Sequence, residues 1–215
     1  MIRTKKGISM TLPLSHLFFP SHEPSKKLIV VLHGRGDSAE GFRFFPQELG
    51  FTDINFLLLN APTESYPGYS WYDFPPNQRE GIHSSSALLT QTFDMLFEEG
   101  YDPKQTILFG FSQGSLLTFE FGSRYKKALA GYMAISGYIY DASKILEQMN
   151  PQVNQNNWFC SHGYEDEVLA FSQSQSQVQT LIDGGFDIDF HAYHKTHTIA
   201  MQELQDIKAW IRSKI

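Results

Sequence analysis

The sequence predicts an α/β protein, a mostly parallel central sheet with helices on both faces. Three observations carry that expectation. Short apolar runs recur along the 215 residues with polar segments between them. The first few runs are apolar at nearly every position, as strands buried on both faces require. Stretches of helical periodicity lie between the runs, and parallel strands need such crossovers.

Taken in chain order, "ISMTLPLSHLFF" (8–19) reads as a strand or hairpin ahead of the main sheet. Pro13 favours an edge position there, because proline cannot donate to a ladder. "LIVVL" (28–32) and "NFLLLN" (55–60) are buried strands. "APTESYPGYSWYDFPP" (61–76) is too rich in proline, glycine and aromatics for a regular element and reads as a long loop leaving a strand end, where functional loops gather in open α/β sheets. Leu89, Phe93, Leu96 and Phe97 share a helical face in 85–99. "TILFGF" (106–111) is a strand followed by the helical "SLLTFEFGSRY". "LAGYMAIS" (129–136) and "WFCSH" (158–162) are further strands. Val168, Phe171, Val178 and Ile182 define a helix over 167–183, in which "SQSQSQVQ" forms a solvated face. "DIDFHAY" (187–193) alternates, as a strand with one less buried face or at an edge does. Leu204, Ile207 and Ile211 define a last helix over 199–213.

Hydrophobic residues at 41% and charged residues at 19% are an ordinary globular balance, and 215 residues suffice for one domain spanning the chain. A net charge of -6 argues against a nucleic-acid binder. Cys160 is the only cysteine, which precludes an intrachain disulfide and fits a reducing compartment. "MIRTKKGISM" lacks the apolar run of a signal peptide, and no run reaches the roughly 18 apolar residues of a membrane span. The expectation is a cytoplasmic protein with no integral membrane segment.

Chemistry concentrates in four places. Gly110-Phe111-Ser112-Gln113-Gly114 fits G-x-S-x-G between a strand and a helix. Such a turn lifts a serine hydroxyl above the sheet, and its flanking residues must be small because strand and helix pass close together. The alternative is a chance five-residue match. A nucleophilic serine needs a base, and in the strand–turn–helix setting the order is serine, acid, histidine. That order excludes His16, His22, His33 and His83, and His162 precedes the acid candidates. His194 and His197 lie in the loop "HKTHT" before the last helix, within reach of a serine across the sheet edge; solvent exposure is the plainer reading of His191 and His194. A metal site built on these three histidines is disfavoured, since a strand-to-loop backbone does not converge that spacing on one ion. "CSHGYEDEVL" (160–169) offers Glu165, Asp166 and Glu167, which local reasoning does not separate; all three also suit a helix N-terminus. "VLHGRGDSAEGF" (31–42) opens a strand into a glycine-rich turn that can give one backbone N–H to an oxyanion hole, the residue after the nucleophile giving the other. It matches neither nucleotide-binding glycine pattern, and its "RGD" is incidental.

Together "LHGRGDS", "SWYDF", "GFSQGS", "HGYEDEV" and "YHKTHTI" resemble, in order and over nearly the whole chain, the phospholipase/carboxylesterase family of α/β-hydrolases, which includes the acyl-protein thioesterases. The resemblance implies the α/β-hydrolase fold and a Ser-Asp-His triad falling on Ser112, Asp166 and His197. It implies oxyanion donors at the backbone N–H groups of Arg35 and Gln113, no metal or organic cofactor, and an acyl ester or thioester as substrate. It allows a monomer or a homodimer. Ser115 stands where the family often has glycine, Lys195 and Thr196 where a glycine usually precedes the base, and Arg35 where an apolar residue often follows "LHG". Arg35 and Lys195 are thereby expected to add positive charge at the mouth of the site. Trp71, in the family's "SWYDF"-like block, is expected either to wall an acyl pocket or to cap the sheet beneath its loop. A non-catalytic binding protein on the same fold is the competing reading; its mark would be a missing triad member, and none is missing. A peptidase ranks low, because nothing suggests an added domain to hold a peptide.

Overall fold

A computed structural model describes residues 11–150 and 157–215. Ile8, Ser9 and Met10 of the N-terminal run lie outside the described residues. The main sheet has seven strands: β1 (His16–Phe19), β2 (Leu28–Leu32), β3 (Asn55–Leu59), β6 (Thr106–Phe111), β7 (Gly131–Ile135), β8 (Trp158–Gly163) and β9 (Ile188–Tyr193). Their order is β1-β3-β2-β6-β7-β8-β9. β1 pairs antiparallel with β3, and all other pairs are parallel. β1 takes the edge, as Pro13 just before it suggests, and the alternating β9 takes the other edge.

Each parallel strand sends alternate side chains to opposite faces. Leu28, Val30 and Leu32 of β2 join one core with residues of α2 (Gln78–Glu98), α3 (Gln113–Gly122), α4 (Ala142–Gln148) and α5 (Phe171–Asp183). Ile29 and Val31 join the other, with α1 (Phe44–Leu49) and α6 (Met201–Lys214). Burial on both faces is why β2, β3 and β7 are buried at every residue and read as continuous apolar runs.

The structure adds two short helices, α1 and α4, that the sequence reading lacks, and departs from it in four further places. The segment 61–76 is not wholly irregular: Thr63–Ser65 (β4) and Gly68–Ser70 (β5) pair as a small antiparallel hairpin. α2 starts at Gln78, before the periodic apolar stretch begins. α5 starts at Phe171, after a turn in which the Val168 and Leu169 amides donate to the Asp166 carboxylate. The polar run in α5 is not all solvated. Ser174 donates to the Gly137 carbonyl, and Gln177 bonds both the N–H and the C=O of Ile139, at 2.9 Å each. That run thus fixes the chain leaving β7.

β2 and β6 are neighbours, yet the chain moves outward from them in opposite directions, to β3 and to β7. Ligand crevices in open α/β sheets form at such a reversal, outside the carboxyl ends of the strands.

Candidate active site

Ser112 sits between β6 and α3 with φ 54 and ψ -112. A non-glycine residue there is strained, and such strain persists only where the surroundings enforce it. They do so closely. The Ser112 N–H donates to the Ile135 carbonyl at 2.9 Å, tying the turn to β7. A Cβ at Gly110 would collide with the Gly114 carbonyl, and one at Gly114 with the Leu32 carbonyl. Both glycines of the motif are therefore demanded by close backbone approach. Ser115, the departure from the family pattern, is buried and fills space left by Gly137, where a Cβ would strike its side chain.

Ser112 Oγ donates to His197 Nε2 at 2.9 Å, and His197 Nδ1 donates to Asp166 Oδ2 at 2.8 Å. A carboxylate can only accept, so the proton of the neutral imidazole is on Nδ1, and Nε2 is free to take the serine proton. Asp166 Oδ1 accepts from the Val168 and Leu169 amides at 2.9 and 2.8 Å. Burial works to raise the Asp166 carboxyl, but the Leu169 amide, His197 and the Val168 amide outweigh it and hold it below its ordinary value. Asp166 is fully buried while His197 keeps a partly open edge.

The neighbours that local reasoning could not separate go elsewhere. Glu165 pairs with His194, 2.9 Å apart and largely exposed. His191 stacks on Phe159 and Tyr193. His162, set aside on order alone, is a contact that sequence reasoning missed. Its Nε2 donates to the Leu169 carbonyl at 2.8 Å and lies 3.3 Å from Asp166 Oδ2. Burial lowers its pKa, against the pull of Leu169 and Asp166, so a neutral ring packs under Asp166. The signal was its position four residues before Asp166.

A Cβ at Gly34 would touch the Ser112 Cβ, so the turn after β2 lies directly against Ser112. No hydrogen bond to another described residue is made by the backbone N–H of Arg35 or of Gln113. The buried Gln113 side chain holds the aromatic loop instead: Oε1 accepts from the Trp71 N–H at 3.0 Å, and Nε2 donates to the Tyr72 carbonyl at 2.8 Å.

Burial chooses between the two readings of Trp71 and corrects the expectation for Lys195. Trp71 is 1% exposed and its indole N–H donates to the His33 carbonyl at 2.9 Å, so its ring caps the sheet beneath the loop and does not wall an open pocket. Lys195 is not at the mouth of the site. Its side chain is 2% exposed and pairs with the fully buried Glu203. Burial lowers the Lys195 pKa, with Glu203 opposing. Arg35 does lie near the mouth, but it is engaged. It donates to the Tyr72 carbonyl at 2.9 Å and stacks 3.7 Å from the Phe74 ring.

Sheet order, strained serine turn and the serine–histidine–carboxylate array together define an α/β-hydrolase. The family model described as Phospholipase/Carboxylesterase matches residues 18–215, and the chain belongs to that family. It is 30% identical to acyl-protein thioesterase 1 of Kluyveromyces lactis, over 86% of this chain and 90% of that one. It is 26% identical to carboxylesterase SOBER1 of Arabidopsis thaliana, over 89% and 92%. Among solved structures it resembles esterase PE8, with TM-score 0.84 and 28% identity over 94% of this chain and 99% of that one. The chain is a hydrolase of the ester- and thioester-cleaving kind. No helix among the described residues is long and apolar enough to cross a membrane.

Proposed function

We propose that the protein cleaves a carboxylic ester or thioester through an acyl-enzyme on Ser112. The observation that carries this reading is the continuous array Ser112 Oγ–His197 Nε2–His197 Nδ1–Asp166 Oδ2, with contacts of 2.9 and 2.8 Å. His197 takes the Ser112 proton as the oxygen attacks the acyl carbonyl, and the proton then passes to the leaving alkoxide or thiolate. Asp166 keeps the imidazole in the working tautomer and stabilises its cation. The N–H groups of Arg35 and Gln113 stabilise the oxyanion, a role in which one donor contributes about 10²–10³ in turnover. Water activated by His197 then releases the acid. An apolar acyl group is favoured, because Phe74, Val168 and Met201 stand exposed on the segments that carry the site.

The test is a panel of p-nitrophenyl esters of increasing chain length, a lysophospholipid and an acyl thioester, run beside fluorophosphonate labelling. Labelling at Ser112 with a burst of p-nitrophenol supports the reading. Absence of both in folded protein would favour a binding protein on a hydrolase scaffold.

A further inference from the structure

The loop that carries His197 contains a buried ion pair that the hydrolytic steps do not use. Lys195 stands two residues before His197 and points inward. Its ammonium lies 2.6 and 2.7 Å from the two Glu203 carboxylate oxygens, 2.9 Å from Ser136 Oγ and 2.8 Å from the Thr198 carbonyl. Glu203, in the first turn of α6, also accepts from Ser161 Oγ at 2.5 Å and from the Ala200 N–H at 3.0 Å. The Lys195 carbonyl accepts from the Glu165 N–H at 3.2 Å, which ties the base loop to the acid loop. That approach is open because residue 163 is glycine; a Cβ there would strike the Lys195 carbonyl.

What these contacts join is informative. Ser136 follows β7 at φ 49 and precedes Gly137, which packs on the serine turn. Ser161 belongs to β8, whose end carries Asp166. Thr198 directly follows the base. One charged centre is thus bonded to the strand ends beside the nucleophile and the acid, and to the chain on both sides of His197. A buried pair is a poor device for stability alone, since apolar residues of similar volume often serve as well or better. Its value lies in direction: short charge-assisted bonds fix a loop that has no ladder of its own.

We infer that Lys195 and Glu203 are positioning residues that hold His197 in register with Ser112 and Asp166. This rests on His197 being the base. The hub touches no reacting atom; it acts through the geometry of the loop. Displacing a reacting group by about 1 Å can cost about 10²-fold in rate.

The test compares the parent with Glu203→Gln, which keeps the side-chain shape, and with Lys195→Met/Glu203→Gln, which leaves no unpaired buried charge. Ile207→Ala, a buried residue of α6 outside the hub, serves as a control for destabilisation. Turnover is normalised to the Ser112 sites that a fluorophosphonate labels to completion, and melting is followed in parallel. The expected result is a loss of about 10²-fold in kcat in the double variant, with KM changed less than about twofold. Glu203→Gln should move in the same direction, and Ile207→Ala should melt lower while keeping the parent kcat. Parent-like kcat in both hub variants would overturn the inference. So would a kcat loss in Ile207→Ala that matches theirs at matched destabilisation. Retained turnover in His197→Ala would instead remove the reading of the base on which the inference stands.

Discussion

Ser112 is partly exposed in the turn after β6 and its hydroxyl bonds His197, so it contributes little to the core. Ser112→Ala keeps Cβ and the φ of 54 and is expected to fold as the parent while losing ester hydrolysis and fluorophosphonate labelling. Full activity in the purified variant would remove Ser112 from the chemistry. His197→Ala should lower turnover by several orders of magnitude, whereas His194→Ala, whose ring is exposed and tied to Glu165, should lose little. The reverse ranking would move the base to His194. Asp166→Asn is expected to reduce kcat on the order of 10³–10⁴-fold without unfolding, because an amide can donate to the imidazole and favour the wrong tautomer. Steady-state kinetics beside circular dichroism check all three. At this scale the serine was legible from local spacing. The candidate acid and base were not: spacing left Glu165, Asp166 and Glu167 open, and His194 beside His197, and only the family resemblance pointed to Asp166 and His197.

At the scale of elements, two segments converge on the serine turn, the end of β2 and the loop around Trp71. Gly114→Ala would drive a methyl into the Leu32 carbonyl, which belongs to a central strand and cannot give way. The expected cost is about 1–3 kcal/mol of stability, with turnover lost as Ser112 shifts. An unchanged melting temperature would contradict the close approach of α3 to β2. Trp71→Ala should destabilise by about 3–5 kcal/mol, since the ring is buried and its N–H has a partner. Because the ring caps the sheet, kcat/KM for acetyl and octanoyl esters should fall in parallel. A selective loss with the octanoyl ester would return Trp71 to the acyl pocket. The parallel strands were legible because burial on both faces leaves a continuous apolar run. α4 was not, because only Ile145 of its seven residues is buried and no periodicity is written in so short a helix.

For the molecule as a whole, acid should be destabilising from near neutrality. His33 and His162 both have pKa values lowered, chiefly by burial. The unfolded chain takes up their protons near the ordinary histidine value of about 6.5, while the folded chain resists. Below that pH the unfolded state binds more protons, so stability falls as pH falls. Asp166 acts in the same direction at lower pH: its contribution is present above the ordinary carboxylate value and is lost as pH drops through the depressed folded value. Urea midpoints taken from pH 7.5 to pH 5 should therefore decrease. A flat or rising series would mean that the two histidines are charged or open to water in the folded state.

The sequence by itself determined the α/β class, the order of most of the strands and helices, and the strained turn that presents Ser112. These depend on local patterns: runs buried on two faces, a 3.6-residue period, and glycines at fixed offsets. Only the tertiary structure decided that His162 lies under Asp166, that Trp71 faces the sheet and that Lys195 turns inward. A lysine can extend its stem to water or bury it against a carboxylate, and the sequence reads the same in either case. Here Glu203, eight residues on, together with the Ser136 hydroxyl and the Thr198 carbonyl, supplies the oxygens that make burial possible, and Ser161 donates to Glu203 in turn.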